Sequence, residues 1–225
     1  MVSKKVIVAL DNKDLSKTIK LVKILKNDVY AFKIGYQFFF NFGLVGYRKI
    51  YKICPKIFLD LKLHDIPNTV KNGLEAIIKI KPIFTTIHIS GGDEMMRSSK
   101  FKKNITKVLG VSILTSMDSV QIKKYYNQND ISKLVKKFTT AAKENKLDGV
   151  VCSPNEIKYI RKQVGKDFII VTPGIRFDNK IKRDDQKRVA TPKKAIEMGA
   201  NYLVIGRPIT ESKNPLKILK EINNS

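Results

Sequence analysis

Between Phe58 and Thr69 the chain reads FLDLKLHDIPNT, placing Asp60, Lys62 and Asp65 among leucines. Carboxylates and ammonium groups held side by side are the residue types of acid–base and charge-stabilising chemistry. Read as a strand, the segment puts Phe58, Asp60, Lys62 and His64 on one face and Leu59, Leu61 and Leu63 on the other. Asp60 and Lys62 then have Cα atoms roughly 6.5–7 Å apart. Pro67 has no N–H to give a sheet ladder, so the strand ends near Asp65. Charges in such apolar surroundings are costly unless mutually paired, and folding alone does not favour them. The competing reading is a solvated edge strand with one surface ion pair. It weakens because the pattern recurs.

Polar residues end one apolar run after another. Asp11 follows the first run, Lys33 ends the second, and Asp60, Lys62 and Asp65 close the third. His88 and Ser90 end the fourth, Thr115 and Ser116 the fifth, and Ser153 the sixth. Thr172 with Pro173-Gly174 ends the seventh, and Gly206-Arg207 the eighth. The starts of the runs carry no comparable set, so one end of the fold reads as an active site. Gly174-Ile175-Arg176 and Gly206-Arg207 mark a phosphate site, because glycine lets backbone N–H groups approach and arginine offers a planar fork. The polar segment 174–190 is long for a connection and reads as a lid or a disordered loop, with Gln186 inside it.

The elements that position these groups follow from periodicity. Eight short apolar runs are spaced mostly one βα unit apart: Val6–Leu10, Val29–Ile34, Ile57–Leu61, Phe84–Ile89, Val108–Leu114, Gly149–Cys152, Phe168–Thr172 and Tyr202–Ile205. Helical stripes lie between them. Leu15, Ile19, Val22 and Leu25 follow the N-cap Asp14; Val70, Leu74, Ile77 and Ile78 follow Asn68; Leu134, Val135, Phe138 and Ala142 form a third. Ser153-Pro154, Thr191-Pro192 and Asn214-Pro215 each set a capping residue before a proline suited to a first helical turn. Strand–helix alternation repeated eight times predicts an α/β fold, a closed (β/α)₈ TIM barrel in one domain spanning 1–225. A doubly wound open sheet is the runner-up, but no GxGxxG follows the first strand. In the barrel, chemistry sits at the C-terminal ends of the strands, where the polar residues lie.

The formal net charge of +24 invites a nucleic-acid reading. Only seven of the 44 basic residues are arginine, the lysines are scattered over nearly every amphipathic helix, and no basic tail or zinc-finger spacing occurs. Abundant Lys, Ile and Asn fit drift toward A/T-rich codons, and a positive field would help recruit a small anion, so no nucleic-acid partner is expected. No apolar run approaches the length of a membrane span, and the first ten residues enter a strand directly, without a signal-peptide core. Cys54 and Cys152 are too few and too distant for a disulfide scaffold, which suits a reducing cytoplasm. His64 and His88 lack metal-ligand spacing and read as structural; Cys152 reads as packing.

Together these motifs closely resemble the orotidine 5′-phosphate decarboxylases, which make UMP at the end of pyrimidine synthesis. The resemblance runs nearly end to end: ALD at 9–11, FKIG at 32–35, LDLKLHDIPNT at 59–69, ILTS at 113–116, VCS at 151–153, VTPGIR at 171–176, DQKRV at 185–189 and GANYLVIGRPIT at 199–210. It implies a TIM barrel, a homodimer as the working unit, and no metal or organic cofactor. Lys33, Asp60, Lys62 and Asp65 match the family's Lys-Asp-Lys-Asp array, with Lys62 the implied proton donor and Asp65 reaching into the neighbouring subunit's site. Asp11 matches a ribose-binding residue, and Thr115 and Ser116 match pyrimidine or sugar contacts. Ile66 and Thr69, in the third-strand motif, match further substrate contacts, while Arg176, Gln186, Gly206 and Arg207 match the nucleotide and phosphate clamp. Related barrels that decarboxylate sugar phosphates share Asp-x-Lys-x-x-Asp but hold a divalent metal partly through a carboxylate ending the second strand. Lys33 stands there in this chain, a cation that would repel the metal.

Overall fold

Short, almost wholly apolar strands are what a parallel sheet covered on both faces requires, and the computed structural model, which describes residues 4–99, 106–176 and 190–224, closes eight of them into a barrel. The strands are β1 (Val6–Ala9), β2 (Ala31–Ile34), β3 (Ile57–Leu63), β4 (Phe84–His88), β5 (Lys107–Val111), β6 (Gly149–Val151), β7 (Ile169–Thr172) and β8 (Tyr202–Ile205). Each pairs in parallel with the next, and β8 closes on β1 through Val6–Leu203 and Val8–Ile205. Helices α1 (Leu15–Leu25), α2 (Tyr36–Ile53), α3 (Pro67–Lys79), α4 (Gly92–Arg97), α5 (Ser119–Tyr126), α6 (Ile131–Glu144), α7 (Ile157–Val164), α8 (Pro192–Glu197), α9 (Arg207–Thr210) and α10 (Pro215–Asn224) alternate with the strands. The α/β barrel expected from the sequence is the observed fold.

Capping residues start the helices much as their chemistry dictates. The Asp14 carboxylate accepts from the Lys17 N–H at 3.0 Å, Thr191 caps α8, and the Asn214 side chain accepts from Lys217 N–H at 3.1 Å. α3 departs from expectation. It begins at Pro67 with Ile66 in the capping position and no side-chain cap, rather than after Asn68, because proline suits the first helical turn. The fifth strand also ends early, at Val111 instead of Leu114. Ser112 turns both its N–H and its hydroxyl onto the Val151 carbonyl, at 3.2 and 3.0 Å, and the chain leaves the sheet there. Thr115 and Ser116 therefore belong to a loop.

Two packed layers result. Outward-facing Val8, Phe32, Ile34, Ile57 and Leu59 bury against the helices. Inward-facing Ile7, Ala31, Phe58, Phe84, Leu109, Val171 and Val204 fill the barrel. Tyr30, Phe84 and Tyr202 cluster at the N-terminal end, Tyr30 stacked on Tyr202 with centroids 4.0 Å apart and Phe84 tilted against Tyr202 at 5.5 Å. Two residues further along each strand the same inward face turns polar: Ala31 gives way to Lys33, Phe58 to Asp60 and Phe84 to Thr86. The aromatic layer closes one end. The polar layer opens at the other.

Arg161 on α7 fastens the closed end. Its guanidinium donates to the carbonyls of Gly165, of Phe168 at 2.8 Å and of Gly199 at 2.8 Å, and to Asn201 Oδ1. Asn201 Oδ1 also accepts from the Ile170 N–H at 2.8 Å, so one arginine joins the connections that enter β7 and β8.

Candidate active site

The third strand does not run regularly through its charged end. Its register against β4 shifts between Leu59 and Leu63, and Lys62 takes a left-handed backbone with φ 44°. The Leu61 carbonyl accepts from Tyr36 Oη at 3.1 Å. The Lys62 N–H donates to Thr86 Oγ1 at 2.9 Å, and that hydroxyl donates to Asp60 Oδ1 at 2.9 Å. Simple alternation, expected from the sequence, is thus replaced by an irregular turn. Asp60 and Lys62 still meet, and both line the same cavity.

The charges interlock. Lys62 Nζ lies 2.8 Å from Asp60 Oδ2, Lys33 Nζ lies 3.8 Å from the same oxygen, and Lys33 Nζ lies 3.6 Å from Asp11 Oδ2. Burial would raise the Asp60 pKa, but the two ammonium groups and the bonds from Lys62 and Thr86 outweigh it and hold the carboxyl below its ordinary value. Asp60 is therefore an anion between two cations. Gly35 leaves room for this cluster: a Cβ there would sit 2.8 Å from Lys33 Nζ and 3.1 Å from Asp11 Oδ1. The Tyr36 ring stands 5.7 Å from Lys62 Nζ, and burial followed by the Asp60 charge raises its phenol pKa.

His64 and His88 stack beside this array, centroids 5.1 Å apart. Burial first, then the charges of His64 and Lys62, push His88 down to about 4, so its ring is neutral near pH 7. Among the described residues no three His, Cys, Asp or Glu side chains gather as a metal-binding group.

These residues border a cavity of about 560 Å³ at the C-terminal ends of the strands. Asp11, Lys33, Asp60, Lys62, Thr115, Arg176, Gly206 and Arg207 all line it, as the sequence reading required. Phe58, Val111, Ile113 and Val204 supply apolar wall. The lysine array and the two arginines thus share one chamber, suited to a small anionic molecule. Asp65, Ile66, Thr69 and Ser116 are exposed and do not line it. Asp65 Oδ1 accepts from the Ile66 N–H at 2.7 Å, in the turn before α3. Gln186 and the middle of segment 174–190 lie outside the described residues. The ends of that segment pair, with Arg176 N–H donating to the Ala190 carbonyl at 3.0 Å and Ala190 N–H to the Gly174 carbonyl at 3.2 Å.

Sequence reasoning missed Gln37, Thr86, Thr210 and Glu211. Gln37 on the first turn of α2, with Thr210 and Glu211 at the end of α9, lines the cavity. The signal for Gln37 and Thr210 was available, since helices that begin directly after a barrel strand start at the reactive end. Thr86 gave none, being one hydroxyl inside an apolar run. Cys152, assigned to packing, is buried to 1 % exposure and forms part of the cavity floor. Ser153 is structural: its N–H donates to the Glu156 carboxylate at 2.9 Å and starts a helical turn.

Comparisons with known proteins agree with this geometry. The family model described as Orotidine 5′-phosphate decarboxylase / HUMPS family matches residues 4–222. Orotidine 5′-phosphate decarboxylase of a Wolbachia from Brugia malayi is 44% identical over 212 residues, 93% of this chain and 93% of that protein. The Ehrlichia chaffeensis protein of that name is 42% identical over 225 residues, covering 99% and 96%. The crystal structure of orotidine 5′-phosphate decarboxylase from Lactobacillus acidophilus superposes with a TM-score of 0.85 at 36% identity, covering 99% of this chain and 98% of that one. With a barrel of the same architecture and a match across nearly its whole length, this chain belongs to the orotidine 5′-phosphate decarboxylase / HUMPS family.

Proposed function

We propose that this chain converts orotidine 5′-phosphate to UMP and CO₂, with Lys62 as the group that protonates C6. The observation that carries the reading is the Lys62 ammonium, 2.8 Å from Asp60, on the wall of a cavity that two arginines also line.

The reaction breaks the C6–carboxylate bond and leaves its electron pair on C6 as CO₂ departs. No carbonyl is placed to take up that pair as an ordinary enolate. A cation fixed beside C6 stabilises the developing charge, and its N–H proton completes the C6–H bond, leaving a neutral amine that solvent reprotonates. Asp60 orients Lys62 and faces the departing carboxylate, while Lys33 balances Asp60 and reaches Asp11 at the ribose. Enzymes lower such barriers by about 8–23 kcal/mol, more than one lysine supplies. Binding of the remote phosphate by Arg176 and Arg207 contributes the rest by fixing the nucleotide against the array.

The working unit in this reading is a homodimer in a reducing cytoplasm. Phe40, Val45 and Ile66 are 77%, 66% and 67% exposed, large apolar side chains that a second copy would cover. Asp65, Ile66 and Thr69 lie outside their own cavity, on the turn into α3, and serve the partner's site. Sedimentation at micromolar concentration should give twice the chain mass.

The direct test is incubation with orotidine 5′-phosphate in EDTA, following loss of orotate absorbance and appearance of UMP. Substrate that stays intact overturns the reading. Activity that requires an added divalent metal overturns the unaided-lysine mechanism.

A further inference from the structure

The peptide joining Leu61 to Lys62 falls where β3 loses register with β4, and both of its polar groups are met by side chains from other elements. Its carbonyl accepts from Tyr36 Oη at 3.1 Å, and its N–H donates to Thr86 Oγ1 at 2.9 Å. A lysine at φ 44° is strained, and such a conformation persists only where the surroundings over-determine it. Thr86 acts twice, since its own proton goes to Asp60 Oδ1 at 2.9 Å. One hydroxyl thereby fixes both the backbone that carries the ammonium and the carboxylate that pairs with it. Thr86 is fully buried, at 0% exposure, so water does not replace it. Tyr36 is 48% exposed and its bond is the weaker half.

We propose that Thr86 and Tyr36 are positioning residues, a two-sided clamp that holds the 61–62 peptide in its left-handed turn and sets where Lys62 Nζ meets the reacting carbon. The proposal rests on Lys62 being the proton donor. Neither residue lines the cavity, so the clamp acts on the chemical step and leaves nucleotide binding alone. Without the hydroxyl, Lys62 relaxes toward extended backbone and the root of its side chain turns.

The experiment compares kcat and KM for orotidine 5′-phosphate in wild type, Thr86→Val, Thr86→Ser and Tyr36→Phe, with Lys62→Ala as control. Thr86→Val keeps the volume and removes both bonds; kcat should fall about 30- to 100-fold with KM changed less than about threefold. Thr86→Ser restores both bonds and should recover kcat to within about threefold, while Tyr36→Phe should lose about two- to fivefold in kcat alone. A crystal structure of Thr86→Val should show Lys62 outside the left-handed region. Wild-type kcat in Thr86→Val, equal losses in the valine and serine variants, or an unchanged left-handed Lys62 each overturns the clamp. If Thr86→Val does not fold, Tyr36→Phe decides, and unchanged kcat there overturns it. Wild-type turnover in Lys62→Ala instead overturns the proton-donor reading, so the two failures come from different variants.

Discussion

Arginine appears at both ends of this barrel and does opposite things. At the N-terminal end Arg161 donates to backbone carbonyls entering β7 and to Gly199 and Asn201 before β8, so its charge is absorbed by the fold. At the C-terminal end Arg176 donates to the carbonyl of Ile175, and with Arg207 it lines the cavity. The strands between show the same polarity: Tyr30, Phe84 and Tyr202 cluster at the start, and Lys33, Asp60 and Lys62 interlock at the finish. The lesson is that residue type does not assign a role. A guanidinium saturated by carbonyls holds connections together, whereas one that lines a chamber is placed to meet an anion, the role proposed above for Arg176 and Arg207.

This division predicts that substitutions at one end change rate and those at the other change stability. The largest effect belongs to Lys62→Ala, which should lower kcat by at least about 10³-fold and still bind UMP in a calorimetric titration. Arg161→Ala should instead remove about 3 kcal/mol of stability, about 6–12 °C in Tm for a chain of this size, with kcat of the folded fraction unchanged. A loss of kcat without a loss of Tm would break the comparison. Arg207→Ala should weaken UMP binding by about 2 kcal/mol, roughly 30-fold, and uridine binding far less; equal losses would remove the phosphate role.

The smallest effect is a dependence of stability on pH, and it qualifies the division, because it should arise at the C-terminal end. His88 sits near 4 in the folded chain, below the unfolded value of about 6.5. Its contribution is complete above pH 6.5 and is lost as the pH falls toward 4, because only the unfolded chain takes up the proton in that window. Asp60, also depressed, loses its contribution only below its unfolded value of about 3.9, outside the window. Wild type should lose about 1–2 kcal/mol between pH 6.5 and 4.5, allowing for solvent screening of a part-exposed ring. Thermal melts of His88→Gln should show a flatter slope.

Much of this was legible in the chain itself. Short apolar runs and helical stripes gave the barrel, because a parallel strand is buried on both faces and each helix on one. Polar ends of successive runs located the cavity, since in a closed barrel those ends converge whatever the loops do. The turn at Lys62 was not legible. It depends on a hydroxyl 24 residues and a phenol 25 residues away in sequence, and neither carries a pattern of its own. The early end of β5 was hidden for a similar reason: Ile113 and Leu114 continue the apolar run, but both line the cavity from beyond the end of the strand. Asp65, Ile66 and Thr69 match the family motif yet stand outside the chamber, on the exposed turn into α3, because a motif match carries no information about where a loop directs its side chains.

Gly35 has φ −103° and ψ −167°, a conformation open to any residue, so nothing in the backbone demands glycine there. What an alanine methyl would meet is the tip of Lys33, at 2.8 Å, and a long flexible stem yields readily. The molecule would fold around the added carbon and push its ammonium aside. Position 35 is therefore a silent site to any assay of expression or melting, and a damaging one to any assay of turnover. Inventories of essential residues built from charged side chains alone would pass over it.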